Sequence, residues 1–187
     1  MPTFALPLTT PRLTLRAYEV ADLSFLHDMF GREDVCRYLP WPPMDLEQAR
    51  AKVEQRVRQT RIDAEGQAVV LAAVETATGR NVGEFMLRLA NEVSRQGEIG
   101  WSMHPDAHGR GLATEGAQEM LRLGFEVLGL HRIHAEADPR NDASLRLMER
   151  LGMRREAHHV ESWFLKGEWV GEVVFALLED EWRASGT

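Results

Sequence analysis

Residues 108–113, HGRGLA, place two glycines and an arginine directly before a segment with a helical apolar stripe. The stripe consists of Ala113, Ala117, Met120, Leu121, Gly124 and Leu128, and Gly129 can end the helix. The first amides of a helix have no partner within it, and the helix dipole places about +0.5 charge there, so an anion can bind to backbone alone. Glycines let phosphate oxygens come close, and Arg110 can add a charge-assisted hydrogen bond. The pattern indicates a phosphate site; a turn that only connects strand to helix is the alternative.

Two other phosphate-binding devices fit this turn less well. A P-loop ends in Gly-Lys followed by Ser or Thr, whereas Ala113 and Thr114 stand here. A dinucleotide-binding turn needs Gly or Ala where Thr114 stands, although an acidic residue, Glu136 or Asp138, follows in the next predicted strand. The hairpins predicted before and after this unit weaken the dinucleotide interpretation further, because that fold alternates strands with helices.

The remaining reactive side chains favour neither metal nor hydrolase chemistry. The seven histidines form no His-Glu-x-x-His motif, so we expect no metal. Strand alternation points His131 and His134 to opposite faces, so they cannot share a site. No Gly-x-Ser-x-Gly sequence is present, which leaves serine hydrolase chemistry unsupported. The single cysteine, Cys36, excludes an internal disulfide, and we expect a half-buried thiol in a reducing compartment.

The apolar spacing predicts the elements that position these residues. Alternating or continuous apolar runs predict seven strands, at residues 12–18, 68–75, 82–89, 98–103, 131–138, 158–166 and 168–179. Helical spacing predicts four helices, at residues 20–30, 45–62, 113–128 and 141–151. Asp22 is the predicted cap of the first helix and Gly31 its end, and three prolines make residues 38–45 a loop. This order describes a mixed sheet covered by helices.

Length, composition and charge restrict the class of protein. The 187 residues, 44% hydrophobic and 27% charged, suffice for one sizeable core, so we expect a single domain over residues 1–187. The net charge of −7 argues against nucleic acid as a ligand and suits a cationic partner such as an amine. No targeting segment is evident, and no apolar run approaches the roughly 18 residues of a membrane span. We therefore expect a cytoplasmic protein with no membrane partner, either a monomer or a homodimer.

Three blocks of sequence together resemble a known family. HGRGLA is similar to the Gln/Arg-x-x-Gly-x-Gly/Ala motif of the GNAT acyltransferases. The blocks RLTLRAYEVADL, EIGWSMHPDAHGRGLATEGAQEML and DPRNDASLRLMERLGM resemble the RimJ/RimL-type branch, the protein N-terminal amine acetyltransferases and their relatives. They follow the same order between about residues 11 and 182. The resemblance implies an α+β (mixed α/β) GNAT fold, whose central twisted, mixed and mostly antiparallel sheet has about seven strands flanked by about four helices.

The resemblance implies where acetyl-CoA binds, as a co-substrate without a metal. The pyrophosphate would lie on the amides of the motif begun by His108, namely those of Gly109, Arg110, Gly111, Leu112 and Ala113. The Met103 backbone would align the pantetheine arm and polarise the thioester carbonyl, and Asn141 would bond that arm. Ser144 would lie near the sulfur. Many members carry a tyrosine acid on this last helix where Leu147 and Met148 stand here, so the role is vacant or passes to Ser144.

The implied reaction is direct attack of a primary amine on the thioester in a ternary complex. A peptide α-amine of pKa about 7.7 to 8.0 is already neutral in roughly 10 to 15% of molecules at pH 7, so a peptide N-terminus depends less on a base than a lysine does. A small amine is the other possible acceptor. We predict Glu98 as this base with Glu84 behind it, although either can be an ordinary strand residue. Trp41 and Trp101 are the predicted acceptor-binding aromatics, and Trp163, Trp169 and Trp182 are expected to pack the last hairpin. A non-catalytic CoA-binding module is the alternative function.

Overall fold

A single mixed sheet organises the computed structural model, which describes residues 2–186. Its eight strands are β1 (Leu8–Thr9), β2 (Leu13–Ala17), β3 (Ala68–Glu75), β4 (Asn81–Asn91), β5 (Gln96–Met103), β6 (Arg132–Ala137), β7 (Arg154–Leu165) and β8 (Glu168–Leu178). The spatial order is β1-β2-β3-β4-β5-β6-β8-β7, and every neighbouring pair is antiparallel except β5 and β6. The predicted mixed, mostly antiparallel sheet is confirmed. The eighth strand is β1, whose two residues are too few for a periodic signal.

Six helices accompany the sheet within the described part of the chain. They are α1 (Leu23–Phe30), α2 (Glu33–Cys36), α3 (Leu46–Arg58), α4 (Leu112–Arg122), α5 (Asp142–Arg150) and α6 (Glu179–Ala184). The four predicted helices are present; α2 and α6 were not predicted, because one turn or so of helix carries no apolar period. None of these helices has the length and apolarity needed to cross a membrane.

Three boundaries differ from the predictions for local reasons. α3 ends at Arg58 rather than at residue 62, with the Gln59 backbone outside helical geometry. α4 gives way to a π-helical stretch, Leu123–Val127, before Gly129 at φ +65° ends it. Asp22 does not cap α1 through its side chain; its buried carboxylate accepts the Glu19 backbone N–H at 2.8 Å and pairs with Arg16 at 2.7 Å.

Two apolar clusters cover opposite faces of the sheet. The cluster on the α4 and α5 face is the larger, and includes Phe85, Ile99, Met120, Leu121, Ile133, Met148 and Phe175. The cluster under α1 and α3 includes Tyr18, Leu26, Phe30, Val53, Val70 and Ala72. α4 lies against β4 at Gly116, where an added Cβ would be only 2.2 Å from Phe85 Cζ. The close approach fixes the height of α4, and of the glycine turn before it, above the sheet.

The C-terminal tryptophans only partly match the prediction that they pack the last hairpin. Trp163 and Trp169 lie on β7 and β8 but remain 53% and 61% exposed, because no described element covers this edge of the sheet. Trp182 is buried in the cluster that also contains Phe175 of β8, and it stacks on Phe125 at 5.8 Å between ring centroids.

The parallel pair β5 and β6 separates partway along its length. Only three residue pairs are in register, ending at Glu98 and His134. β5 nevertheless stays paired with β4 as far as Met103, and β6 stays paired with β8 as far as Ala137. A gap therefore opens in the middle of the sheet toward the carboxyl ends of β5 and β6. Unpaired backbone groups line both of its edges.

Candidate active site

A cavity of about 600 Å³ occupies the end of this gap. Four parts of the chain line it: the end of β5, the glycine turn with the first turn of α4, the start and middle of α5, and α2 with the residues just after it. Most of the predicted cofactor residues meet here, namely Met103, His108, Gly109, Gly111, Leu112, Ala113, Asn141 and Ser144. Segments far apart in sequence thus form one chamber.

The glycine turn presents its backbone to this cavity. Gly109 and Gly111 have φ values of +72° and +75°, a left-handed conformation that favours glycine. Gly111 is the N-cap of α4, and no side chain caps the helix there. The first amides of α4 are therefore left for another partner, as an anion site requires. The His108 ring supports the turn from β5, with Nε2 3.3 Å from the Met103 carbonyl oxygen.

Arg110 is not among the residues that line the cavity. Its guanidinium pairs with Glu75 at the end of β3. A hydrogen bond from Thr78 and this pairing hold the pKa of Glu75 below its usual range. The Arg110 carbonyl oxygen accepts a 2.8 Å hydrogen bond from Arg12 Nη1. The Arg110 side chain thus pairs with Glu75 rather than lining the cavity, and its predicted place near the phosphates stays a prediction.

Asn141 and Ser144 meet at the start of α5. Asn141 Oδ1 accepts the Ser144 backbone N–H at 3.2 Å, so Asn141 caps the helix while lining the cavity. Leu147 also lines the cavity and is buried, whereas Met148 points into the core. Ser144 is therefore the hydroxyl on α5 that borders this space, next to the leucine that stands in the place of the family tyrosine.

Glu84 lies away from the cavity in a buried polar cluster. Its carboxylate pairs with Arg56 at 2.8 Å and accepts the Tyr18 hydroxyl at 3.0 Å. Burial, together with the Glu84 charge, raises the pKa of Tyr18 well above its usual value. With both oxygens occupied by α3 and by Tyr18, Glu84 ties layers of the fold together, and the structure does not bring it to Glu98.

Glu98 lies at the point where β5 and β6 separate, on the sheet face opposite α4. It does not line the cavity, and Arg88 Nε donates to it at 2.9 Å. His134 Nε2 lies 3.9 Å from Glu98 and 3.5 Å from Glu136. The carboxylates of Glu98 and Glu136 lie beside His134, and the carboxylate of Glu172 lies next to Glu136. We name these three carboxylates, together with His134, the carboxylate cluster. His134 and Glu136 share a sheet face because they are two residues apart on β6, and the pairing of β6 with β8 brings Glu172 to Glu136.

Protonation in the carboxylate cluster is shifted by burial. Burial and the neighbouring Glu172 and Glu98 raise the pKa of Glu136 to about 7. Burial lowers the pKa of His134, so the imidazole favours its neutral form. The Trp163 indole donates to Glu172 at 3.0 Å and closes the far side of the cluster. Glu136 follows His134 by two residues, beyond the last pairing with β5, and thus lies beside the open gap, although it does not line the cavity, as Glu98 does not.

The two predicted acceptor aromatics lie in different places. Trp101 lines the cavity. Trp41 does not; it packs edge-on against Phe30 and lies under the ammonium of Lys52, which is 3.6 Å from its ring centroid. Burial lowers the pKa of Lys52 to about 8. A large aromatic in a proline-rich loop gives no sequence signal that separates a pocket wall from a packing partner.

Cys36 and Lys166 join the last hairpin to α2. Cys36 is fully buried rather than half-buried, its thiol donates to the Phe30 carbonyl at 3.2 Å, and burial raises its pKa. Lys166, at the tip of the β7–β8 hairpin, donates to the Cys36 and Arg37 carbonyl oxygens at 2.5 and 3.2 Å. Cationic side chains stabilise the carbonyl end of a helix, so the hairpin tip holds the wall of the cavity that α2 provides.

Comparison with known proteins agrees with this architecture. The family described as "Acetyltransferase (GNAT) domain" matches residues 12–154. The chain belongs to the GNAT acetyltransferase family. As a GNAT protein it is an acyl-CoA-dependent acetyltransferase, and the predicted GNAT fold is confirmed.

Individual GNAT relatives cover nearly the whole chain. YnaD, an uncharacterized N-acetyltransferase of Bacillus subtilis, is 33% identical over 176 residues, which are 94% of this chain and 99% of YnaD. A spermidine N(1)-acetyltransferase of Vibrio cholerae is 28% identical over 84% of this chain and 88% of its own. The crystal structure of a GNAT-family acetyltransferase from Bacillus anthracis has a TM-score of 0.83 and 30% identity, covering 94% of this chain and all of that one.

Proposed function

We propose that the protein transfers the acetyl group of acetyl-CoA to a primary amine by direct attack in a ternary complex. The observation that carries this proposal is the separation of β5 from β6 after Glu98 and His134, because the gap begins at these two residues and the cavity with the glycine turn lies at its outer end. The amides of residues 109–113 bind the pyrophosphate, and the unpaired strand edges bind the pantetheine arm. Met103 and Asn141 lie on opposite sides of that arm.

Glu136 is the proton acceptor in this proposal, in place of the predicted Glu98 and Glu84. The amine must lose a proton to attack the thioester, and a base works best when its pKa is near the working pH. The pKa of Glu136, about 7, meets this condition. Glu98 is paired with Arg88, and its negative charge helps to raise the pKa of Glu136. Ser144 is the candidate hydrogen-bond donor to the departing thiolate, because Leu147 has no proton to give.

The acceptor is a cationic amine that meets the carboxylate cluster before it reacts. Glu98 and Glu136 lie beside a largely neutral His134, and Glu172 adjoins Glu136, so the carboxylate cluster attracts a positive charge. Arg88 offsets only one of these three carboxylates. Polyamines satisfy this requirement, and the chain is similar to enzymes named for spermidine. A peptide N-terminus, the acceptor expected of the RimJ/RimL-like branch, carries one charge and asks less of the base. We propose that the acceptor is either a polyamine or a peptide N-terminus. We also propose that the protein acts in the cytoplasm.

The test is release of CoA from acetyl-CoA with a panel of acceptors: spermidine, a simple monoamine and short peptides with free N-termini. We expect release that depends on the acceptor, is reduced about 10²-fold or more in E136Q and is unchanged in E54Q, an exposed glutamate on α3. Binding of acetyl-CoA without release for any acceptor would instead support a non-catalytic CoA-binding module, which the absent tyrosine makes a defined second candidate.

A further inference from the structure

We propose that Arg12 is a positioning residue that orients one amide donor of the glycine turn. Arg12 precedes β2, far in sequence from the turn, and Arg12 Nη1 donates to the Arg110 carbonyl oxygen at 2.8 Å. Gly111, whose amide belongs to the same peptide unit, lines the cavity. The inference rests on the proposed function of this turn as the pyrophosphate site.

Geometry of the peptide unit converts this hydrogen bond into an orientation. In a planar trans peptide the C=O and the following N–H point in opposite directions. With the Arg110 carbonyl directed at Arg12, the Gly111 N–H is directed away from Arg12. Arg12 lies on the side of the turn to which a Gly111 side chain would point, since its Nη2 is 3.4 Å from the position of a Cβ added to Gly111. The amide is therefore directed to the side of the turn that faces away from Arg12.

The turn needs such a restraint because its own residues supply little. A Cβ added at Gly109 would meet no atom within 4 Å, and no side chain caps Gly111. The turn contains two left-handed glycines separated by one residue, and glycine permits a wide choice of backbone conformations. The Arg12 hydrogen bond and the Arg110–Glu75 pair both hold the turn from its outer side. Neither takes up an amide of the turn.

Arg12 is itself held firmly by α4. Arg12 Nε donates to Glu115 Oε2 at 2.6 Å, and its backbone N–H donates to Glu115 Oε1 at 2.7 Å. The Thr10 hydroxyl donates to the same Oε1 at 2.5 Å. A planar guanidinium bonds the carboxylate and the carbonyl at once from two different nitrogens, and a lysine ammonium does not reproduce that fork. Charge alone thus does not replace Arg12.

Calorimetric binding of CoA and of pantetheine, which lacks the phosphates, tests this role without requiring turnover. We expect R12Q and R12K each to weaken CoA binding by about tenfold, the loss of roughly one charged hydrogen bond, while pantetheine binding is unchanged. The matched control is R122Q, which removes an arginine–glutamate pair further along α4, outside the cavity, and should bind both ligands as the wild type does. The Gly111 amide resonance should shift on CoA addition in the wild type and shift less in R12Q.

Each alternative outcome is distinct. CoA binding by R12K at wild-type strength would overturn the orienting role and leave a charge effect only. Equal weakening of CoA and pantetheine would show a general structural defect and overturn it as well. Absence of CoA binding by the wild-type protein would overturn the pyrophosphate site itself, and with it the proposed function.

Discussion

At the scale of single residues, we expect the protonation of Glu136 to determine how the activity depends on pH. Its pKa is about 7, so the carboxyl is protonated below that pH and cannot accept the proton of the amine. We therefore expect kcat/KM to rise with pH through about 7 in the wild type. In E136Q this rise is lost, and the residual activity follows only the ionisation of the acceptor. Identical pH profiles for the two proteins, measured with one acceptor, would remove Glu136 from the reaction.

Lys52 gives a second pH effect, on stability. Its pKa is about 8 in the folded protein against 10.5 for a free lysine, so between these values the unfolded chain binds more protons. The contribution of Lys52 to the free energy of unfolding must then increase as pH rises from 8 to 10.5. Denaturant unfolding of the wild type and K52M tests this. Over that pH range the free energy of unfolding of the wild type should increase relative to that of K52M. A constant difference would contradict it.

The sequence located residues whose role depends on local chain geometry and missed those whose role depends on strand neighbours. The glycine turn and the Asn141 cap are read from short contiguous patterns, and both border the cavity. Glu136 and Glu172 belong to β6 and β8, which become neighbours only after α5 and β7 have been placed. Their mutual repulsion, and hence the raised pKa of Glu136, could not be predicted from spacing along the chain.

At the scale of secondary-structure elements, the contact between α4 and β4 determines the position of the glycine turn. An alanine at Gly116 normally favours a helix, but here its Cβ would collide with the Phe85 ring. We expect G116A to lower the free energy of unfolding by about 1–3 kcal/mol and to weaken CoA binding, because α4 carries the glycine turn. The control is F85L/G116A, which should lose less stability than the sum of the single changes. Additive losses in urea unfolding would show that the ring is not what limits the approach.

Element types were predictable where a period is long enough to recognise, and the central gap was not. Apolar alternation predicts a strand at β5 and another at β6, yet it says nothing about where their hydrogen bonding stops. That stop depends on how β4 and β8 each hold their own neighbour. β7 begins four residues earlier than predicted, because its exposed residues hide the alternation.

Arg56 and Glu84 connect layers at the scale of the whole molecule. They join α3 to β4 beneath the surface, and Tyr18 adds a third contact. We expect R56M alone to cost about 3–5 kcal/mol of unfolding free energy, because a buried carboxylate loses its partner. R56M/E84M should cost clearly less. The control is R61M, which breaks the exposed Arg61–Asp63 pair and should cost under about 1 kcal/mol. An equal loss for R56M and R61M in denaturant unfolding would contradict the buried role.

The contacts of Lys52 and Lys166 have a chemical consequence for a protein that holds an activated acetyl group. They are the only two lysines of the chain; the other 20 of its 22 basic residues are arginines. Arginine stays protonated in proteins and is no nucleophile at neutral pH. Lys52 lies over Trp41, and Lys166 is engaged by two carbonyl oxygens. With only two lysine side chains, this protein offers the thioester few competing amines, which limits self-acetylation and leaves the acetyl group for the incoming acceptor.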